Sequence, residues 1–256
     1  MSRGFLENLL LSSTVNPLLK PIISRFDKGC ARDGSLLLNS LRDFLGDNID
    51  LCHECRRISR KIAKPFYEIG SRIFLTDKKF MRNAFLQNEY GEAWLKGFGL
   101  MMRGIEKFGI RQPFTPAAPF EIVWNVTYSC NLKCAHCYEN AGAPRPELST
   151  EEARQVIDRF SNLSGTGLPA LSFSGGEPLT RKDFFELLTY ARKHVNYISV
   201  ASNGTLITKD NANKLKESGA SYVEISLDGA SPRIHDEFRG VKGAFEKTLD
   251  GVKKLL

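Results

Sequence analysis

The chain of 256 residues reads as an α/β protein in which a parallel sheet, built from repeated strand–helix units, follows a mainly helical N-terminal region. Three observations predict this. From Phe120 onward, short apolar runs alternate with amphipathic stretches at roughly 25 residues per unit, the pattern of parallel strands joined by right-handed crossover helices. Before that point, apolar residues recur at helical spacing. Between the two lies Arg111–Pro119, where three prolines fall within seven residues. Such a stretch cannot be regular helix and reads as an extended connector.

In the front section, residues 1–110, Phe5, Leu6, Leu9, Leu10, Val15, Leu18, Leu19, Ile22 and Ile23 form an apolar stripe whose continuity Pro17 and Pro21 limit. A stripe of this kind either lies on a membrane surface or packs on its own domain. Leu36–Phe44 and Ile58–Phe74 continue as short amphipathic helices. Residues 81–108 also read as helix, weakened by Gly91, Gly97, Gly99 and Gly104. Cys52-His53-Glu54-Cys55 sets two thiols two residues apart, with Cys30 upstream. It is either half of a second metal or cluster site or an ordinary pair at a helix start; no fourth ligand is evident.

The section from 120 to 256 supplies the sheet. Strands are predicted over Glu121–Thr127, Leu171–Ser174, Tyr197–Ala201 and Tyr222–Leu227. Helices are predicted to begin after Ser149 and to cover Lys182–Lys193, Lys209–Ser218 and Ala244–Leu256. Ser149 and Glu152 have the spacing of a capping box. In parallel α/β sheets the working groups gather at the carboxyl ends of the strands, where every notable motif of this section falls.

Composition sets the outer bounds. An apolar content of 42% with 25% charged residues is that of an ordinary soluble globular protein. No apolar run reaches the length of a spanning helix. Glu7 and Asn8 interrupt the first apolar run, and no small-residue cleavage site follows, so no signal peptide is expected. The net charge of +7 sits entirely in residues 1–118, with 19 basic against 12 acidic side chains. A basic appendage of this kind suits an anionic surface or an acidic protein such as a ferredoxin. Without an aromatic-interleaved basic motif, no nucleic-acid partner is expected.

The chemistry is concentrated in Cys130-Asn131-Leu132-Lys133-Cys134-Ala135-His136-Cys137-Tyr138, three thiols within eight residues after a buried strand. Structural zinc wants four closed ligands. Three thiols suit a four-iron cluster with one iron left without a protein ligand. Clustered thiolates need a reducing compartment, so the cytoplasm is the expected location.

The Cys-x3-Cys-x2-Cys spacing resembles the signature of the radical S-adenosylmethionine (radical SAM) superfamily. Downstream, Ser174-Gly175-Gly176-Glu177-Pro178 is similar to its Gly-Gly-Glu-Pro element, Ser202-Asn203-Gly204 to its Ser/Thr-Asn-Gly step, and Ser226-Leu227-Asp228-Gly229 with His235-Asp236-x2-Arg239-Gly240 to segments of a peptide-modifying branch that often carries a C-terminal SPASM-like extension. The resemblance implies a partial parallel (β/α) barrel with Cys130, Cys134 and Cys137 on a [4Fe–4S] cluster. It also implies SAM binding by Tyr138, Gly175, Gly176, Glu177, Ser202, Asn203, Ser226, Asp228 and Arg239. Of these, Gly175–Pro178 would meet the methionine amino group, Ser226 the ribose and Arg239 the carboxylate. His136 departs from the aromatic or apolar residue usual before the third cysteine. Four strand–helix units, against six in the family's core, imply either the front portion of a longer protein, the favoured reading, or a barrel completed by something else. The implied activity is reductive cleavage of SAM to a 5′-deoxyadenosyl radical, with an electron from a low-potential donor such as ferredoxin or flavodoxin. Peptide, tetrapyrrole, lipid and small-metabolite substrates all remain open, and no substrate-specific residue is named. An electron-transfer iron–sulfur protein and a structural zinc module are the rival readings.

Overall fold

The computed structural model describes residues 29–30, 34–47, 50–64, 68, 77–109, 115–142, 145–161, 163 and 167–256. The apolar stripe of residues 5–25, the connector residues 111–114 and the side chains of Cys30 and Cys55 lie outside the described set. The chain divides into two compact units, Met1–Phe120 with Asn162–Pro169 and Glu121–Ser161 with Ala170–Leu256.

In the first unit a two-residue antiparallel pair, Gly29–Cys30 with Gly34–Ser35, precedes α1 (Leu36–Leu45) and α2 (His53–Ile58), the latter prolonged by a π-helical turn at Ser59–Ala63. Then come α3 (Lys78–Arg82), a second π-helical turn (Asn83–Gln87) and α4 (Gly91–Phe108). Asp77 starts α3 by accepting the Phe80 N–H (2.8 Å). Leu41, Phe44, Leu45, Leu95, Leu100 and Met102 are buried between these helices. No helix among the described residues is long and apolar enough to cross a membrane.

The second unit is a four-stranded parallel sheet in the order β1 (Glu121–Thr127), β2 (Ala170–Gly175), β3 (Tyr197–Ser202), β4 (Tyr222–Ile225). Between and after the strands run α5 (Thr150–Ser161), α6 (Phe184–Arg192), α7 (Lys209–Glu217), α8 (Pro232–Arg239) and α9 (Ala244–Leu255). The period-2 alternation of a strand separates two unlike faces. One carries Val126, Leu171, Phe173, Ile198 and Val200, all buried, as are Ala153, Ile157, Phe184, Leu187 and Leu188 of α5 and α6. Phe173 sits at the centre, 5.8 Å from Trp124 and 5.7 Å from Phe184 between ring centroids. The other face presents Glu121, Val123, Ser172, Ser174, Tyr197, Ser199, Ala201, Tyr222 and Glu224 to a cleft. A sheet apolar and helix-covered on one side and polar with small residues on the other is the wall of a partial barrel, its polar side the lumen.

Three of the four strands match their sequence ranges to within a residue. The fourth is shorter, ending at Ile225 rather than Leu227, because the chain turns away and the Asp228 N–H bonds the Nδ1 of His235 (3.3 Å). Helix α8 is an addition to the sequence reading. Its boundary signals were present, with Pro232 in its first turn and Gly240 in a left-handed conformation at its end.

The capping box of α5 forms as its spacing indicates. The Glu152 carboxylate accepts the Ser149 N–H (2.8 Å), while the Glu152 N–H reaches the Ser149 hydroxyl (3.3 Å). Ser149→Ala is expected to cost about 1 kcal/mol of stability, read by urea denaturation.

Candidate functional site

At the carboxyl ends of the strands lies a cleft of about 840 Å³. Of the twelve residues the sequence singles out, all except Glu177 line it.

The cysteine loop leaves β1 and closes on itself, the Gly142 N–H donating to the Tyr128 carbonyl (2.7 Å). Each sulfur within it receives one N–H. Leu132 donates to Cys130 (3.4 Å), Ala141 to Cys137 (3.4 Å) and the Arg239 Nη1 to Cys134 (3.6 Å). Burial pushes the Cys130 thiol up; the Leu132 N–H opposes the shift, while Glu177 and the two neighbouring thiols add to it. Among the described residues, no three His, Cys, Asp or Glu side chains close on a single metal ion. A cluster asks for a wider spread, because each cysteine binds a different iron. Three thiols of one loop, each with its own N–H donor, fit such a cluster.

Four brackets fix this loop. The first is the glycine pair. Gly175 has φ +129°, and a Cβ there would lie 2.2 Å from the Thr127 carbonyl oxygen; a Cβ on Gly176 would lie 2.2 Å from that of Ser129. Absence of side chains lets β2 press against the root of the loop, where Gly176 donates to Thr127 and Glu177 to Ser129, both at 2.8 Å. The second is Asn131, whose side-chain amide donates to Thr205 (2.8 Å) and accepts from Asn203 (3.0 Å), joining the loop to the end of β3. The third is the last turn of α8: Phe238 and Arg239 offer their carbonyls to the N–H groups of Ala135 (2.9 Å) and Lys133 (3.0 Å), and the His136 ring stacks on Phe238 at 4.3 Å. The fourth is Glu147, which accepts from the Thr127 hydroxyl (2.7 Å) and the Tyr128 N–H (2.8 Å). Desolvation alone would raise the Glu147 pKa, but these bonds and the charge of Arg181 hold it below the usual carboxylate value.

Glu177 is fully buried and is not among the residues that line the cleft. Its carboxylate accepts from the Ser202 hydroxyl (3.0 Å), the Asn203 N–H (2.8 Å) and the Leu179 N–H (3.2 Å). Burial raises its pKa against the pull of those bonds and of Arg239. The side chains of Ser202 and Asn203 are engaged within the protein, the latter with Thr205 and Asn131. Tyr138, by contrast, is 81% exposed.

The His235-Asp236-x2-Arg239-Gly240 segment resolves into four separate contacts. His235, fully buried, holds the Asp228 N–H at its Nδ1; burial first, and then the nearby Arg239 charge, push its pKa down, which favours the neutral ring. Asp236 caps α9 by accepting from Gly243 (2.6 Å) and Phe245 (2.8 Å). Arg239 lies between Asp228 and Cys134. Gly240 approaches so closely that a Cβ would be 2.3 Å from the Lys133 carbonyl oxygen.

Sequence reasoning missed Asn131, Glu147 and Arg181. The last spans the end of β1 and the segment before α5, donating to the Val126 (2.7 Å) and Leu148 (2.9 Å) carbonyls while paired with Asp183. Asn131 stood inside the motif and its polarity was a usable signal. Glu147 and Arg181 carry no spacing that marks them.

Comparison with known proteins follows the same residues. The family model described as the Radical SAM superfamily matches residues 124–256. The Fe-coproporphyrin III synthase of Methanosarcina barkeri is 50% identical over 133 residues, 51% of this chain and 32% of that protein. An AdoMet-dependent heme synthase of the same organism is 43% identical, covering 54% and 39%. The mycofactocin maturase MftC of Mycolicibacterium smegmatis is 38% identical, covering 54% and 34%. The chain thus spans about a third of the length of the curated relatives it matches. In fold, it is similar to Streptococcus suis SuiB bound to S-adenosylmethionine, with a TM-score of 0.53 at 17% identity, covering 84% of this chain and 46% of SuiB.

Proposed function

The chain belongs to the radical SAM superfamily, and from that premise we propose that Cys130, Cys134 and Cys137 hold a [4Fe–4S] cluster with one iron open to SAM, in an enzyme that abstracts hydrogen from a tetrapyrrole. The observation that carries the cluster is the single N–H directed at each of the three sulfurs. When bound, the cluster and SAM together supply a 5′-deoxyadenosyl radical after one-electron reduction.

The protein's part is to bind and orient. Gly175 and Gly176 bring bare backbone to the cleft wall. Ser202, Asn203, Ser226 and Asp228 line the wall at the ends of β3 and β4. Arg239 offers a planar guanidinium suited to the SAM carboxylate, and Tyr138 exposes a ring beside the third cysteine. Ser172, Ser174, Ser199 and Ala201 place small side chains on the cleft face of the sheet beneath. The choice of a tetrapyrrole is supported by the two relatives named for that chemistry, at 50% and 43% identity against 38% for the maturase. The electron comes from an external low-potential carrier of the ferredoxin or flavodoxin kind.

Anaerobic reconstitution is expected to give about four iron and four sulfide per chain, with an electron paramagnetic resonance (EPR) signal that shifts when SAM is added. Zinc without iron or sulfide would replace this reading with a structural metal module, and a cluster signal indifferent to SAM would replace it with electron transfer. At least one member of a panel of iron tetrapyrroles, but not a control peptide, is expected to raise 5′-deoxyadenosine production under dithionite; a response to the peptide alone would move the substrate to the peptide class.

A further inference from the structure

Arg239 is placed by more than its own helix. Its side chain is 9% exposed, its Nε lies 2.5 Å from the Asp228 Oδ2, and its Nη1 lies 3.6 Å from the Cys134 sulfur. The buried Nε thus has the Asp228 carboxylate as its ion-pair partner. Both ends of the arrangement are anchored. Asp228 is held through its own N–H by the buried Nδ1 of His235. Cys134 is held because Lys133 and Ala135, on either side of it, bond to the carbonyls of Arg239 and Phe238. The approach is tight enough that Gly240 has no room for a Cβ.

We propose that Asp228 is a positioning residue that tunes the cluster through Arg239: its carboxylate aims the guanidinium at the Cys134 sulfur and offsets most of its charge. The inference rests on the cluster reading above. Reduction adds an electron to the cluster, so a nearby positive charge or N–H donor favours the reduced form, and a nearby negative charge disfavours it. In a partly buried site such charges act at low effective dielectric and are felt strongly. Within the pair, each member masks the other. Removing Asp228 leaves a bare cation beside the thiolate. Removing Arg239 takes away the N–H donor and leaves a bare carboxylate in the same wall.

Two single variants therefore move the cluster in opposite directions. In a redox titration of the reconstituted chain without SAM, followed by EPR, Asp228→Asn is expected to raise the midpoint potential and Arg239→Gln to lower it. The double variant is expected to fall between them. A residue with only a packing role would not produce shifts of opposite sign. Potentials equal to wild type in both single variants, or shifts of the same sign, would overturn the proposal. Should Arg239→Gln take up no cluster, Asp228→Asn decides alone. Failure of Asp228→Asn to take up a cluster also counts against the proposal, since tuning leaves uptake intact. Failure of the wild-type chain to take up iron and sulfide defeats the cluster reading itself, a result separate from any potential.

Discussion

Alanine at Gly175 is expected to destabilise the second unit by about 2–4 kcal/mol and to strip the cysteine loop of the iron it would hold. Two penalties coincide there. The backbone sits at φ +129°, which L side chains rarely adopt, and the new Cβ would meet the Thr127 carbonyl oxygen at 2.2 Å. That oxygen is not a flexible side-chain tip; it already accepts the Gly176 N–H at 2.8 Å. Making room means parting the ends of β1 and β2, which breaks this bond and the neighbouring one from Glu177 to Ser129 and displaces the root of the loop. Gly243→Ala is the matched control. It also has positive φ (+83°) but nothing within 4 Å of a Cβ, so it pays about 1–2 kcal/mol for conformation alone. Urea denaturation and iron retention measured on both variants separate the two effects. Equal losses would show that the contact with Thr127 contributes nothing.

Glu177 gives the second large effect. Glu177→Ala removes the acceptor for the Leu179 and Asn203 N–H groups and the Ser202 hydroxyl, in a place water does not reach. Leaving such donors unpaired is expected to cost about 2–4 kcal/mol. The same residue sets a pH dependence. Burial, the largest cause, raises its native pKa above the ordinary 4.5. In the window between 4.5 and the raised value, the native chain holds a proton that the unfolded chain has released. The contribution of this group is therefore fully present below 4.5 and lost as pH rises through the native value. Glu177→Gln has no such proton to lose. Urea midpoints measured across pH are expected to fall with rising pH more steeply in wild type than in Glu177→Gln. Parallel curves would assign the slope to other groups.

The strands were legible because β-branched and apolar runs in a parallel sheet carry their own signal, and β1 emerged at its sequence-derived limits, Glu121–Thr127. Helix α8 was not, for a physical reason: in eight residues it carries one apolar pair at helical spacing, Ile234 and Phe238, both exposed, while the residues it buries are His235 and Arg239. The cysteine spacing announced a metal-type loop, and the glycine pair announced a close approach. Sequence could not say what approaches. Part of the answer is the chain itself, at Thr127 and Ser129. Glu177 shows the same limit, since a carboxylate beside two glycines gives no sign of whether it faces the lumen or the interior. Glu147 and Arg181 act through partners that only folding brings near.

The bracket from α8 bears on how the protein is made. Cys134 and the Arg239 that touches its sulfur are 105 residues apart in the chain. At typical synthesis rates of about 5–20 residues per second, roughly 5–20 s pass between the two leaving the ribosome. During that interval the nascent thiols lack one wall of their cradle and stand open to oxidation or capture of a stray ion. On the proposed cluster reading, loading of the loop would follow translation of the fourth strand–helix unit.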